Sequence, residues 1–212
     1  MLTTLKLATT GILVVISAIA GVARSSAISW LVFAALVFSW FGDAAMAYWK
    51  PLAKLVGNID VFGIGAFALA HIMYIIAMVV YLRQASARPS SVIITLALFE
   101  IMGIVMWFVL AGTTNIDRKM KLATFFYMLL LVGMASLSVS AAKTDIARLW
   151  CVMVGGLLFV ISDGLIAVNW FMQVPLAALP YLVWATYIPA QVCLLIGLNL
   201  IPVAQKTFST VL

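Results

Sequence analysis

Seven apolar stretches, each about twenty residues long, fill most of this chain: 5–22, 28–48, 61–82, 92–111, 121–141, 147–170 and 180–201. A hydrocarbon core of about 30 Å is crossed by roughly 20 residues of α-helix, so each run is long enough to span a bilayer. The runs are continuously apolar and lack the period-two alternation of a membrane β-strand, so helices must satisfy their backbone groups in lipid. The expected fold is therefore all-α, a polytopic transmembrane helical bundle of seven spans. Residues 1–212 are expected to form one domain, because no connection is long enough to hold a second.

The charge inventory excludes the soluble alternatives. Soluble chains carry about 25% charged residues, whereas this one has twelve basic and six acidic side chains in 212 residues. A water-facing surface cannot be built from so few, which rules out soluble enzymes and nucleic-acid binders. The net charge of +6 comes from bases lying between the apolar runs, where they contact headgroups and set topology. One side of a seven-span arrangement holds Lys6, Lys50, Lys54, Arg118, Lys119 and Lys121; the other holds Arg24, Arg83, Arg88, Lys143, Arg148 and Lys206. The balance is even, and orientation stays open. The expected location is multi-pass in a membrane, the bacterial inner membrane.

Breaks between the runs have readable chemistry. Lys50 and Pro51 are expected to stop the second span, Asn58 and Asp60 to cap the third, and Thr144 or Asp145 the sixth. Gly63, Gly65, Gly155 and Gly156 are expected to permit close helix approach, since no phosphate-binding pattern surrounds them. Cys151 and Cys193 lie inside apolar runs as small core residues. Lys6, the apolar run after it and Ala18 to Ala20 imitate a signal peptide.

Charged groups at the centre of a span cost about 2.5 to 3.5 kcal/mol each, so those present line cavities or sites. Three acids qualify: Asp43, Glu100 and Asp163. Asp60, Asp117 and Asp145 fall at helix ends or loops and need no function. No Lys or Arg lies deep in a span to neutralise the three, and burial in a low dielectric favours the neutral form of a carboxyl. Spans two and six run in the same direction, which puts Asp43 and Asp163 at one depth, roughly 8 to 10 Å from the side holding the N-terminus. On the returning spans, His71 and Tyr74 share a helix face about 15 to 20 Å in, and Tyr187 and Gln191 share one about 10 to 17 Å in. Glu100, near the middle of span four, has no partner by this reasoning. With His71 the single histidine, a site of three protein histidines is impossible within one chain.

Four segments carry a resemblance. Leu36 to Asp43 (LVFSWFGD), Gly65 to Tyr74 (GAFALAHIMY), Leu158 to Asp163 (LFVISD) and Tyr187 to Gln191 (YIPAQ) stand in the order and spacing of the YhhN-like lysoplasmalogenase family. The resemblance covers about residues 6 to 200, and the stretch from Met120 through Tyr127 to Met134 is similar to the family's middle region, less distinctively. Family members usually have eight spans. The segment from Lys6 to Thr10 region-wise resembles the opening of their second span without its proline, so the first helix is expected to be missing here, which argues against signal-peptide cleavage.

The resemblance implies a membrane hydrolase that cleaves the vinyl ether bond of lysoplasmalogens to a fatty aldehyde and glycerophospho-ethanolamine or -choline. Asp43 and Asp163 are the expected acid/base pair, with His71, Tyr74, Tyr187 and Gln191 positioning water or substrate. The expected partners are a lysophospholipid substrate and membrane lipids, with no nucleic acid, and the chemistry calls for no cofactor or metal. The rival from the residues themselves is a proton- or ion-coupled transporter using the intramembrane carboxylates. Against it stand the lack of an obvious inverted repeat and of spans broken by Gly or Pro, Pro189 being the main candidate. A retinal photoreceptor would need a lysine inside the last span, which has none.

Overall fold

The computed structural model describes residues 2–111, 114, 117–173 and 177–199. It is a bundle of α-helices, with no strand among the described residues. In chain order these are α1 (Leu2–Arg24), α2 (Ala27–Met46), α3 (Lys50–Ala53), α4 (Ile59–Gln84), α5 (Pro89–Ala111), α6 (Arg118–Ala142), α7 (Ile146–Met172) and α8 (Leu179–Asn199). All but the short α3 are long and apolar enough to cross a membrane, and they coincide with the seven apolar runs. The chain is a multi-pass membrane protein. Lys206, counted above among the bases of one side, lies outside the described residues, as do 200 and 201 at the end of the last run.

Packing follows from which faces are small. The main pairings are α2 with α4, α7 with α8, α5 and α7 each with α6, α1 with α2, and α4 with α6. At Gly155 of α7 a β-carbon would stand 2.9 Å from the carbonyl oxygen of Ala190 on α8, and at Gly197 of α8 one would stand 2.6 Å from the Val152 side chain of α7. Gly63 of α4 similarly faces Ala45 of α2, and Gly156 faces Ser138 of α6. These contacts bear out close helix approach at Gly63, Gly155 and Gly156. Gly65 is different: nothing lies within 4 Å of its missing β-carbon, so it turns away from its neighbours. Helix α5 is peripheral, seated on α6 where Gly103 makes room for Met128 and Val132, while Leu98, Ile101 and Val105 face outward.

Helix ends are set by side chains and by left-handed residues. Asn58 Oδ1 accepts from the amides of Asp60 and Val61 and caps α4; Asp60 itself lies in the first turn, where its carboxylate receives the Tyr48 hydroxyl at 2.6 Å. That contact raises the affinity of the loop phenol for its proton, since ionised Tyr48 could no longer donate. Asp145 caps α7 by accepting from the Arg148 amide, while Thr144 instead bonds Tyr81 and the Ala141 carbonyl. Lys50 and Pro51 do not end α2. It closes at Met46, where Tyr48 takes φ 48° and the Trp49 amide reaches back to the Ala44 carbonyl at 3.0 Å, and Lys50 and Pro51 open α3.

Candidate active site

Two hydrogen-bonded groups, one around each aspartate, occupy the interior between α2, α4, α6, α7 and α8. In the first, Tyr187 Oη donates to Asp43 Oδ2 at 3.0 Å and accepts from Gln191 Nε2 at 3.1 Å. Gln191 Nε2 also donates to Ser39 Oγ at 2.9 Å, and its Oε1 accepts from Tyr74 Oη at 2.6 Å. Both amide hydrogens are thus committed and the orientation of the Gln191 amide is fixed. Helix α2 supplies Ser39 and Asp43, one turn apart; α8 supplies Tyr187 and Gln191 by the same spacing; α4 supplies Tyr74.

The second group joins α4, α6 and α7. Tyr127 Oη donates to Asp163 Oδ2 through a short hydrogen bond, and His71 Nε2 lies 3.0 Å from the same hydroxyl. Because the phenol proton goes to Asp163, the imidazole completes the contact by donating from Nε2. His71 Nε2 is also 3.8 Å from Asp163 Oδ2, while its Nδ1 is buried without a partner. Each group thus directs one tyrosine hydroxyl at its carboxyl, Tyr187 at Asp43 and Tyr127 at Asp163.

Phe159 of α7 stands between the groups. Its ring meets His71 edge-on at 4.8 Å between centroids and Tyr187 at 5.4 Å. Phe67 of α4 packs on the other side of Tyr187 at 6.1 Å, and its ring fills the space that a side chain at Gly42 would need. Glycine before Asp43 is thus what lets an aromatic wall close against the carboxyl.

Burial differs among these side chains. His71, Tyr74 and Gln191 are fully buried, whereas the Asp163 side chain keeps 13% of its exposure and Asp43 is half-buried.

All six side chains singled out in the sequence are brought to this interior, Asp43 and Asp163 close enough for their charges to interact. The depth argument holds less well: Asp43 stands three residues from the end of α2 and Asp163 nine from the end of α7. What the two groups share is the Phe159 ring, which meets His71 of one and Tyr187 of the other. A second expectation fails at Asp43. Lys6 of α1 is an electrostatic neighbour of the carboxyl, and the Thr10 hydroxyl one turn further along α1 donates to the Lys6 carbonyl at 3.1 Å. The reason is that Asp43 lies in the last turn of α2 and Lys6 in the second turn of the antiparallel α1, which Trp40 Nε1 ties down through the Leu7 carbonyl at 3.1 Å. Glu100 joins neither group; it lies on α5 against Gly133, with Oε2 buried and unpartnered.

Sequence reasoning did not assign roles to Tyr127, Ser39, Thr10 and Lys6. Ser39 was within reach, one turn before Asp43 on the same helix; Tyr127 is 36 residues from Asp163 with no spacing rule to connect them. Among the described residues no group of three or more His, Cys, Asp or Glu side chains is placed to hold a metal ion.

Comparison with known proteins gives one match: the sequence model described as the YhhN family aligns with residues 1–198. Searches of curated proteins and of solved structures return no match.

Proposed function

Since the chain belongs to the YhhN family, we propose that it is a membrane hydrolase of lysoplasmalogen type, releasing a fatty aldehyde from a vinyl-ether lysophospholipid. The observation that carries this reading is a pair of part-buried carboxyls, Asp43 and Asp163, each receiving a tyrosine hydroxyl, with the Phe159 ring packed against both groups.

The chemistry needs little else. A carboxylic acid delivers its proton to the β-carbon of the enol ether, giving an oxocarbenium ion at the carbon that bears oxygen. The second carboxylate takes a proton from water as that water attacks the cation. The resulting hemiacetal then collapses: its hydroxyl proton returns to the first carboxylate while the second carboxyl gives its proton to the glycerol oxygen, which leaves as the alcohol, and the chain departs as the aldehyde. One water is consumed and both aspartates return to their starting protonation. Positive charge develops next to the Phe159 and Tyr187 ring faces and between two carboxyls, where it is stabilised.

The supports have distinct parts in this reading. Gln191 occupies a lone pair of Tyr187 and so directs the phenol proton at Asp43; His71 does the same for Tyr127 and Asp163. Lys6, in the second turn of α1 and an electrostatic neighbour of Asp43, would pair with the phosphate of a lysophospholipid whose tail stays in the hydrocarbon.

The test is a coupled aldehyde assay on purified protein in detergent, with lysoplasmenyl-ethanolamine and -choline as substrates and saturated lyso-ether and lyso-ester lipids as controls. Aldehyde release from the vinyl ethers alone, falling by a factor of about 100 or more in Asp43→Asn and Asp163→Asn, is the expected result. Folded protein with no release from any lipid, or an Asp43→Asn variant with near-normal turnover, sinks the reading.

A further inference from the structure

The end of the bundle opposite Asp43 carries a second feature that the carboxyl site does not use. Where α5 begins and α6 ends, the two helices part to leave a cleft of about 410 Å³ walled by Arg88, Ser91, Thr95, Leu98, Phe99 and Lys143 among others. Its polar groups sit at the helix termini: Arg88 immediately before α5, Lys143 immediately after α6. Leu98 and Phe99 lie about three turns further in than Arg88, so the wall is apolar at roughly 15 Å of rise.

Charge within the cleft is one-sided. No Asp or Glu lines it, and the acid nearest in sequence, Asp145, faces Arg148, whose Nε is 3.5 Å from its carboxylate. Lys143 is held over the cleft by donating to Thr95 Oγ1 at 2.8 Å, and Thr95 is in turn anchored on the Ser91 carbonyl at 2.8 Å. An ammonium has three donors, so two of Lys143's remain for a ligand. We propose that this cleft binds a phospholipid with a net negative headgroup, its phosphate between Arg88 and Lys143 and one acyl chain along Leu98 and Phe99. Two cations without a carboxylate favour an anionic headgroup over a zwitterionic one, whose amine would find no partner. The apolar continuation favours a lipid over a free anion. The proposal is independent of the vinyl-ether chemistry at the other end.

Delipidated full-length protein in dodecyl maltoside provides the test, with thermal midpoint followed as phosphatidylglycerol, phosphatidylcholine of the same chains, or glycerol phosphate is added. Phosphatidylglycerol is expected to raise the midpoint by roughly 3 to 8 °C with saturation, and native mass spectrometry to show one retained molecule. Phosphatidylcholine and glycerol phosphate should give no comparable rise. The shift should vanish in Arg88→Gln/Lys143→Gln and survive in Arg118→Gln/Lys119→Gln, which removes two exposed charges at the other end of α6. Leu98→Trp, at an outward-facing position, fills the cleft with its charges intact and should also abolish the shift. Equal response to the two lipids, an equal response to glycerol phosphate, or a shift that persists in the cleft variants overturns the proposal.

Discussion

Tyr187 gives its phenolic proton to Asp43 Oδ2 at 3.0 Å because its other bonding direction is already taken by Gln191 Nε2 at 3.1 Å. The relationship is directional. Were the Gln191 amide reversed, Tyr187 would donate to it and leave the carboxyl without a partner. A carboxyl that receives this hydrogen bond has one oxygen oriented by it, which is what the proposed proton transfer needs.

Tyr187→Phe is the simplest probe of that relationship, since the phenyl ring keeps the contacts with Phe67 and Phe159. A hydrogen bond to a charged group contributes about 1.5 to 3 kcal/mol, so aldehyde release should fall roughly tenfold to a hundredfold. The loss should appear in kcat more than in KM, because the hydroxyl touches the carboxyl rather than the lipid tail. Unchanged kcat would remove Tyr187 from the machinery.

His71 and Tyr127 act in series on Asp163, so their effects should not add. Tyr127→Phe cuts the last link and His71→Asn the one behind it; the double variant should be no slower than Tyr127→Phe alone. Steady-state kinetics of the three variants decide the matter. Independent, multiplicative losses would mean that His71 acts on Asp163 directly across their 3.8 Å separation, not through Tyr127.

Gly155 sets how closely α7, which carries Asp163, approaches α8, which carries Tyr187. A methyl group there would stand 2.9 Å from the Ala190 carbonyl oxygen, which is backbone and cannot rotate away. Overpacking of this kind costs about 1 to 3 kcal/mol, so Gly155→Ala should lower the thermal midpoint by several degrees and reduce turnover with it. Gly65→Ala, facing open space, is the control and should leave both unchanged. Matching behaviour of the two variants would refute the packing account.

The spans were legible because a bilayer imposes a length and an apolar composition that a loop cannot imitate; each run lies within three residues of its helix. The six candidate residues were legible for the related reason that a polar side chain in hydrocarbon requires an explanation. What stayed hidden depends on pairing between distant segments. Tyr127 reads as one aromatic among many until α6 is seen against α4 and α7, and Lys6 reads as a flank charge until α1 is seen against α2. Glu100 met the same criterion as the two aspartates yet joins neither group, so the cost of a buried acid marks candidates without sorting them. The φ 48° turn at Tyr48, which ends α2 before Lys50, also had no sequence signal, since a glycine is the usual occupant.

The buried centre of the first group gives the last prediction. Gln191 satisfies Ser39 and Tyr74 as well as Tyr187, all out of reach of bulk water. Gln191→Leu keeps the approximate volume but strands those hydroxyls, and each unsatisfied buried group costs about 1 to 3 kcal/mol. The thermal midpoint should therefore fall sharply. Removing both partners of a buried hydrogen bond is far less costly than removing one, so Tyr74→Phe added to Gln191→Leu should recover part of the loss, although Tyr74→Phe alone destabilises the native protein. Activity should not recover with it, because Tyr187 is still without the amide that directs its proton to Asp43. If stability and turnover return together, the role of Gln191 is packing alone; if stability does not return, the Tyr74 contact at 2.6 Å is not what holds the amide in place.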